Sequence, residues 1–306
     1  MSLHIPVMLT ESINYLVTNR SGTYFDATIG YGGHASELLK NLNSNAILVG
    51  TDKDKTAFLH CKELFSGDFR VRLFNTDFTD IKKISMIEFI NGYDGIFADL
   101  GVSSVQLDEK NSGFTYRKDT TLDLRMDKSA GIPAYKLINK LSQTELYKIL
   151  KFLGEVRQAK AISKKIVEQR TNSEIITTFQ LRDVIESVIP KHNSYKTISK
   201  VFQAFRIYVN QEIEKLKLFL EEAVGLLKEG GRIVIISYHS LEDRIVKEFF
   251  KYESLDCVCP PELPVCVCDK KARLNIITRK PITPSEKEVQ ENRRARSAKM
   301  RVAEKI

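Results

Sequence analysis

The sequence predicts an α/β protein built on a doubly wound, mostly parallel sheet of seven strands. Three observations predict it. A glycine-rich turn at residues 30–33 joins the first strand to a helix, helices of about 10–15 residues then separate the next strands, and each of these strands ends in a polar or acidic side chain. Ligands of such sheets bind at the carboxyl ends of the strands. The fold therefore also predicts the position of a site.

The strands appear as short apolar runs. They are predicted at residues 23–25, 46–50, 71–74, 94–98, 232–237, 274–278 and 299–303. A short helix capped by Thr10 precedes the first strand. Further helices are predicted at residues 35–40 and 55–64, from the end of the third strand to about residue 90, and at residues 241–252.

Residues from about 107 to 200 contain no convincing strand and are predicted to form a helical insertion between the fourth and fifth strands. Ser142-x-x-Glu145 is a capping box that begins one helix, and others are predicted at residues 155–169 and 178–189. A long helical pattern runs from residue 197 to 228 and ends at two glycines, 230 and 231. Its polar positions Gln203, Arg206 and Asn210 share one face, which spacing alone assigns to solvated surface.

The glycine turn holds the candidate ligand site. Glycines at 30, 32 and 33 allow close approach of a ligand, and the amides of the helix that follows favour an anionic group. A dinucleotide is one alternative, because Gly30-x-Gly32-x-x-Ala35 fits its pattern and Asp52 has the spacing of a ribose-binding acid. Asp26 favours S-adenosylmethionine instead, since its carboxylate would bind an ammonium group and repel a pyrophosphate.

The composition is that of a soluble globular protein, with 42% apolar and 28% charged residues among 306. No apolar run approaches the ~20 residues of a membrane span, and the first residues resemble neither a signal nor a transit peptide. A cytoplasmic protein is expected. The net charge is +8, and from residue 270 onward twelve Lys and Arg face four Glu. This basic tail favours a nucleic-acid partner over a merely solvated terminus.

Four of the five cysteines form the pattern Cys257-x-Cys259-x6-Cys266-x-Cys268. Four thiolates can enclose a tetrahedral zinc ion. However, Cys-x-Cys is a less usual zinc motif than Cys-x-x-Cys, and disulfides are disfavoured in a reducing compartment. The spacing therefore favours free thiols in a surface loop, and the sequence assigns no metal ligand. Cys61 lies in a predicted helix and is expected to be buried packing.

Several longer strings carry a family resemblance. The most distinctive are Ser-Tyr-His-Ser-Leu-Glu-Asp-Arg at 237–244 and Arg-Ala-Arg-Ser-Ala-Lys at 294–299. Others lie at residues 4–9, 26–34, 99–108, 113–114, 122–127 and 202–210. Together they resemble, over almost the full chain, the MraW family of bacterial small-subunit (16S) ribosomal RNA cytosine-N4 methyltransferases.

The resemblance implies the class I fold of S-adenosylmethionine-dependent methyltransferases, Rossmann-like, with a helical insertion domain between strands 4 and 5. It implies a discontinuous methyltransferase domain at residues 1–106 and 211–306 and an inserted helical, RNA-recognising domain at residues 107–210. The implied reaction is N4-methylation of a decoding-centre cytosine of 16S rRNA, cytosine 1402 in the family's conventional rRNA numbering. The implied partner is the small ribosomal subunit, with no membrane association and a monomeric or dimeric enzyme.

The family's S-adenosylmethionine-binding positions correspond here to Gly32, Gly33, His34, Asp52, Phe78, Asp99 and Gln106. The candidates for accepting the proton of N4 are Asp99 and His239, and a structural role explains His239 equally well. The alternatives to this function are another nucleobase-directed RNA methyltransferase, a non-catalytic ribosome-assembly factor and a dinucleotide oxidoreductase.

Overall fold

The computed structural model describes residues 5–101, 113–190, 194–260, 262 and 265–306. The chain divides into two compact units. One consists of residues 1–101 together with 215–306, and the other of residues 102–214.

The first unit is built on a seven-stranded sheet with the strand order β3-β2-β1-β4-β5-β7-β6. The strands are β1 Thr23–Asp26, β2 Ile47–Thr51, β3 Val71–Phe74, β4 Tyr93–Asp99, β5 Leu227–Ser237, β6 Leu274–Ile276 and β7 Lys299–Lys305. The first five are parallel, whereas β7 is antiparallel to both β5 and β6. The predicted fold class, a mostly parallel Rossmann-like sheet with helices inserted between strands 4 and 5, is confirmed.

Helices alternate with these strands along the chain. They span Leu9–Leu16, Gly33–Lys40, Lys55–Leu64, Ile81–Ile87, Ser240–Glu253 and Glu286–Glu291, with short 3-10 turns at Phe78–Asp80 and Arg293–Ser297. The cap expected at Thr10 is wrong by two residues, because the first helix begins after Met8, whose backbone is left-handed at φ 51°. Neighbouring strand residues point to opposite faces of the sheet. Tyr24 and Phe25 accordingly belong to two separate apolar cores, one on each face.

The second unit is helical around its own core of isoleucines, leucines and phenylalanines. Its helices span Ala134–Lys140, Gln143–Lys148, Ala159–Asn172, Thr178–Glu186 and Ser194–Asn210, with a π turn at Ile149–Leu153. The capping box at Ser142 and Glu145 is present. Within the described residues of this unit, extended pairing is limited to a bridge between Thr121 and Thr177.

The long helix expected at residues 197–228 is two helices. Ser194–Asn210 and Glu212–Leu226 are separated at Gln211, where the backbone turns left-handed at φ 53°. A left-handed residue interrupts the ladder of helical hydrogen bonds, so the helix axis changes there. The chain passes from the second unit back to the first within the next few residues.

The polar face of this segment is not solvated surface, contrary to the expectation from spacing. Asn210 is buried, and its amide donates to the Leu124 carbonyl at 2.8 Å and accepts from the Met126 amide at 2.9 Å. Arg206 makes two hydrogen bonds of 3.0 Å to the carboxylate of Glu212. These side chains hold the segment around residue 125 and the helix break in place.

The glycines at 230 and 231 do not end a helix either. The helix ends at Leu226, and β5 begins at Leu227 and runs through both glycines. The register against β4 shifts between the pairs Tyr93–Leu227 and Gly95–Arg232, so residues 228–231 form an irregularity in the strand. Gly230 has φ 73° there, a conformation that glycine adopts without strain.

Among the described residues, no helix is both long and apolar enough to cross a membrane.

Candidate functional site

Three carboxylates lie at the carboxyl ends of neighbouring parallel strands. Asp26 ends β1, Asp52 directly follows β2, and Asp99 ends β4. Strands β2, β1 and β4 are adjacent in the sheet. Burial is the main cause that raises the pKa of Asp26, and the nearby charges of Asp99 and Asp52 add to it, so the three groups influence one another.

Asp26 is almost inaccessible to solvent and accepts a hydrogen bond of 3.1 Å from the amide of Thr28. Burial, together with the charges of Asp99 and Asp52, raises the pKa of Asp26 to about 7. Within the described part of the chain, no cationic side chain pairs with Asp26. A positively charged ligand would therefore find a carboxylate whose ionised form lacks a counter-charge.

Asp99 is held from two sides. The hydroxyl of Tyr238 donates to its carboxylate at 2.7 Å, and its own backbone amide donates to the Thr28 hydroxyl at 2.7 Å. Protein atoms surround the carboxyl group closely although the residue keeps some solvent exposure. This desolvation outweighs the Tyr238 hydrogen bond and raises the pKa of Asp99 to about 7. Asp99 can therefore exchange a proton near neutral pH.

Asp52 fixes the glycine turn. Its carboxylate accepts the Gly30 amide at 2.9 Å and the Asp54 amide at 2.8 Å. Burial raises the pKa of Asp52, and it outweighs these two hydrogen bonds, which lower the pKa. Cys61, which is fully buried as expected, donates its thiol to the Gly30 carbonyl at 3.1 Å. The turn is thus held by Asp52, which directly follows β2, and by Cys61 on the helix Lys55–Leu64.

The turn passes into the helix Gly33–Lys40 through two glycines that no other residue could replace without strain. Gly32 has φ 80°, and a Cβ atom there would lie 2.9 Å from Leu64 Cδ2. A Cβ atom on Gly33 would lie 2.4 Å from Pro6 Cγ. The imidazole of His34 is buried, 3.0 Å from the Val7 carbonyl and packed on Phe97. These contacts hold the His34 ring against Val7 and Phe97.

Phe78 opens the short turn after β3, which begins at the cap residue Asp77. Its ring packs edge-on against Phe219 with the ring centroids 5.0 Å apart, and it remains partly exposed. Asp77 forms an ion pair with Lys215 at 2.8 Å. Gln106, also expected at the site, lies outside the described residues.

His239 caps the helix Ser240–Glu253. Its Nδ1 accepts the Glu242 amide at 3.3 Å, and its Nε2 lies 3.0 Å from a Glu242 carboxylate oxygen, poorly aligned for a hydrogen bond. The other carboxylate oxygen of Glu242 accepts the Tyr238 amide at 3.0 Å. Both ring nitrogens of His239 therefore face Glu242, and the side chain has a structural task at the end of β5.

The basic residues near the end of the chain differ in how they are engaged. Arg293, Arg294 and Arg296 are exposed on a 3-10 turn, and Arg294 also makes a contact within the protein. Lys299 instead forms an ion pair with Asp243 at 3.2 Å. Arg125, in the second unit, forms a bidentate ion pair in which its Nε and Nη2 donate to the two carboxylate oxygens of Asp123.

Two residues of the site were not found from the sequence. Tyr238 contacts Asp99 from a position 139 residues later in the chain, and Thr28 bridges β1 and β4 through its hydroxyl. Both stand where a strand ends, which is the signal that could have singled them out. Together the strand ends provide carboxylates for a cation and backbone amides for an anion, and burial raises the pKa of two of their carboxyl groups, Asp26 and Asp99, to about 7.

Comparison with known proteins gives a consistent result. The model of the MraW methylase family matches residues 1–306. A ribosomal RNA small subunit methyltransferase H of Caldicellulosiruptor saccharolyticus is 50% identical over 304 residues, covering 99% of both chains. Proteins of the same name from Clostridioides difficile and Halothermothrix orenii are 46% and 44% identical, covering 99% of this chain and 99% and 98% of theirs.

Proposed function

The chain belongs to the MraW methylase family, and from that premise we propose that it methylates the exocyclic N4 amine of a decoding-centre cytosine in 16S rRNA. Its activity is S-adenosylmethionine-dependent methylation of small-subunit rRNA. What we propose beyond this activity is the methylated base, a decoding-centre cytosine, and the methylated atom, its N4. Membership in a methylase family excludes the dinucleotide oxidoreductase, and a non-catalytic assembly factor becomes an outcome of the test below.

The observation that carries the proposal is the group of three carboxylates at the ends of β1, β2 and β4. S-adenosylmethionine carries an ammonium, a sulfonium, a carboxylate and a ribose diol. We assign the ammonium to Asp26, the ribose hydroxyls to Asp52 and the carboxylate to the backbone amides after Gly32. The exposed part of Phe78 would pack on the adenine, and Gln106 remains assigned to the same ligand by family resemblance. A cation here would stabilise the ionised form of Asp26, which burial and the charges of Asp99 and Asp52 disfavour.

When bound, S-adenosylmethionine supplies a methyl group made electrophilic by its sulfonium. The N4 lone pair of cytosine is delocalised into the ring, so the amine attacks poorly unless the site holds it in line with the methyl group. As the N–C bond forms and the C–S bond breaks, N4 must lose a proton. We assign that proton to the carboxylate of Asp99, which the Tyr238 hydroxyl holds in place.

Asp99 is a better candidate than His239 for this role. Burial raises the pKa of Asp99 to about 7, which suits a group that accepts a proton near neutral pH. Both nitrogens of His239 face Glu242, and using His239 as a base would disturb the cap of a helix. We therefore assign His239 a positioning role, in which it caps the helix and fixes the segment that carries Tyr238.

Asp26→Asn is expected to weaken S-adenosylmethionine binding by about 10- to 100-fold, because a hydrogen bond to a charged group contributes about 1.5–3 kcal/mol. Isothermal titration calorimetry measures the affinity. Asp183→Asn, the same change at an exposed carboxylate of the second unit, serves as the matched control and should leave it unchanged. Equal affinities for the Asp26 variant and the wild type would remove Asp26 from the ligand site.

Arg293 and Arg296 are proposed to contact rRNA phosphates, since both are exposed in a strongly basic segment. Replacing both with alanine should weaken rRNA binding and reduce the slope of log affinity against log salt by about 1 for each lost contact. Lys247→Ala with Lys251→Ala removes the same charge from the exposed side of the helix Ser240–Glu253. If the Arg293/Arg296 and Lys247/Lys251 double variants had the same salt slope, the rRNA would not contact Arg293 and Arg296 specifically.

The proposal as a whole is tested by supplying labelled S-adenosylmethionine and small ribosomal subunits that lack the modification, followed by nucleoside analysis. Label recovered as N4-methylcytidine at a decoding-centre position is the expected result. Label on another nucleoside would support a different base-directed rRNA methyltransferase. Subunit binding without any transfer, with S-adenosylmethionine bound, would favour a non-catalytic assembly factor.

A further inference from the structure

The loop between the helix Ser240–Glu253 and β6 brings four cysteines together although their spacing favoured free thiols. Cys257, Cys259, Cys266 and Cys268 each direct a sulfur to one point, and all four Sγ atoms lie within 4.8 Å of one another. Individual separations are 3.5 Å for Cys257–Cys266, 3.6 Å for Cys266–Cys268, 3.8 Å for Cys257–Cys268 and 3.9 Å for Cys259–Cys266.

These separations are those of sulfurs around a single ion. Four sulfurs at about 2.3 Å from a tetrahedral metal stand about 3.8 Å from each other. A disulfide requires about 2.05 Å between sulfurs, so none of the four separations is a disulfide. An iron–sulfur cluster holds its cysteines on different irons around a larger body, which would keep the sulfurs further apart. The geometry points to one mononuclear tetrathiolate site.

The backbone of the loop is arranged around the same sulfurs. The Val258 amide points at Cys268 Sγ, the Cys259 amide at Cys257 Sγ, and the Val267 amide at Cys259 Sγ, each at 3.4 Å. Amides directed at sulfur stabilise the thiolate form, which is the form that binds a metal. Two of these contacts link one Cys-x-Cys half of the loop to the other.

Among the described residues of the loop, apolar packing does not explain why the sulfurs converge. Val265 and Val267 are 70% and 72% exposed, so the valines of the loop point to solvent and do not form a core. The base of the loop is closed separately, where the Arg273 amide donates to the Glu253 carbonyl at 2.8 Å and the Glu253 carboxylate pairs with Arg273 and Lys270. Beyond that base, the sulfur cluster is what holds the described part of the loop together.

We propose that Cys257, Cys259, Cys266 and Cys268 bind one structural Zn²⁺ ion. Tetrahedral sulfur coordination suits Zn²⁺ among the common divalent ions. All four positions are filled by protein thiolates, so the ion has no open position for a substrate or water and serves to order the loop. The site lies in the first unit and is separate from the strand-end carboxylates of the candidate active site.

The test begins with the metal content of the full chain, purified without added metal or chelator. Elemental analysis by mass spectrometry should find about one Zn²⁺ per chain, and a mercurial reagent that displaces thiolate ligands should release it. Exchange for Co²⁺ should give the intense visible bands of a tetrahedral tetrathiolate complex. Iron in place of zinc, or a chain without metal whose four loop thiols all react freely, would overturn the proposal.

Variants locate the site. Cys259→Ser and Cys266→Ser should each lose most of the zinc, and hydrogen exchange at the Val258 and Val267 amides should become faster. Val258→Ala is the matched control, because it lies between two ligands and keeps its backbone amide, so the zinc should remain. If a cysteine variant failed to fold, the metal content of the wild type and of the Val258→Ala variant would still test the proposal. Zinc retained in both cysteine variants would also overturn the proposal.

Discussion

Asp99→Asn is expected to slow methyl transfer by about 10²- to 10⁴-fold at saturating S-adenosylmethionine, because an amide cannot accept the proton that leaves N4. Single-turnover kinetics on small subunits measure this step separately from product release. The wild-type kcat/KM should fall as the pH falls below about 7, where the Asp99 carboxyl becomes protonated. Because Asp26 titrates in the same range, the observed pKa values belong to the coupled pair.

Tyr238→Phe serves as the matched variant. It removes the phenol that donates to Asp99 at 2.7 Å but leaves the carboxylate. That hydrogen bond lowers the pKa of Asp99, so its loss should move the pH profile to higher pH with a smaller loss of rate. If Asp99→Asn weakened S-adenosylmethionine binding but left the saturated single-turnover rate intact, Asp99 would be a ligand residue only, and the Leu100 carbonyl would be the next candidate for the acceptor.

Asp243→Ala is expected to destabilise the fold by about 3 kcal/mol, since it leaves the buried Arg301 guanidinium without its counter-charge. Arg301 donates to Asp243 at 2.6 Å, both side chains are about nine-tenths buried, and Lys299 pairs with the same carboxylate. Urea unfolding followed by circular dichroism measures the change. The contact joins the helix Ser240–Glu253 to β7.

The same contact predicts a dependence on pH. Burial alone would raise the pKa of Asp243, but Arg301 and Lys299 outweigh it, and the pKa lies below its ordinary value. The stabilisation is therefore complete above the pKa of the unfolded chain, about 3.9, and is lost as the pH falls through the folded pKa. Lys251→Ala, on the exposed face of the same helix, should change the stability little, and a similar loss in both variants would contradict the specific role of Asp243.

The sequence predicted the sheet well because its signals are local. Most strands contain a short apolar run, and the helix Lys55–Leu64 and strand Val71–Phe74 lie at their predicted bounds. The break at Gln211 could not be predicted, because glutamine rarely adopts a positive φ and nothing nearby marks it. The strand through Gly230 and Gly231 was missed because adjacent glycines are more typical of a helix end.

The placement of Asp26, Asp52 and Asp99 at the ends of neighbouring strands was predictable, because each follows a strand that the local sequence marks. The role of a side chain that acts through a distant partner was not predictable. Asn210 is buried because it bonds to residues 84 and 86 positions earlier, and periodicity alone gives no sign of that pairing. The four cysteines show the same limit, because unusual spacing argued against a cluster that the folded loop brings together.

The position of β7 has a consequence for how this chain acquires its structure. Strand β7 pairs with both β5 and β6, which precede it in the chain. Until residues 299–305 have been synthesised, β5 keeps an open edge, and its residues Ile233–Ile236 are all buried in the finished fold. Such an edge invites pairing with other chains. The first unit therefore completes its sheet only after translation has passed β7, and a shorter nascent chain is expected to depend on chaperones.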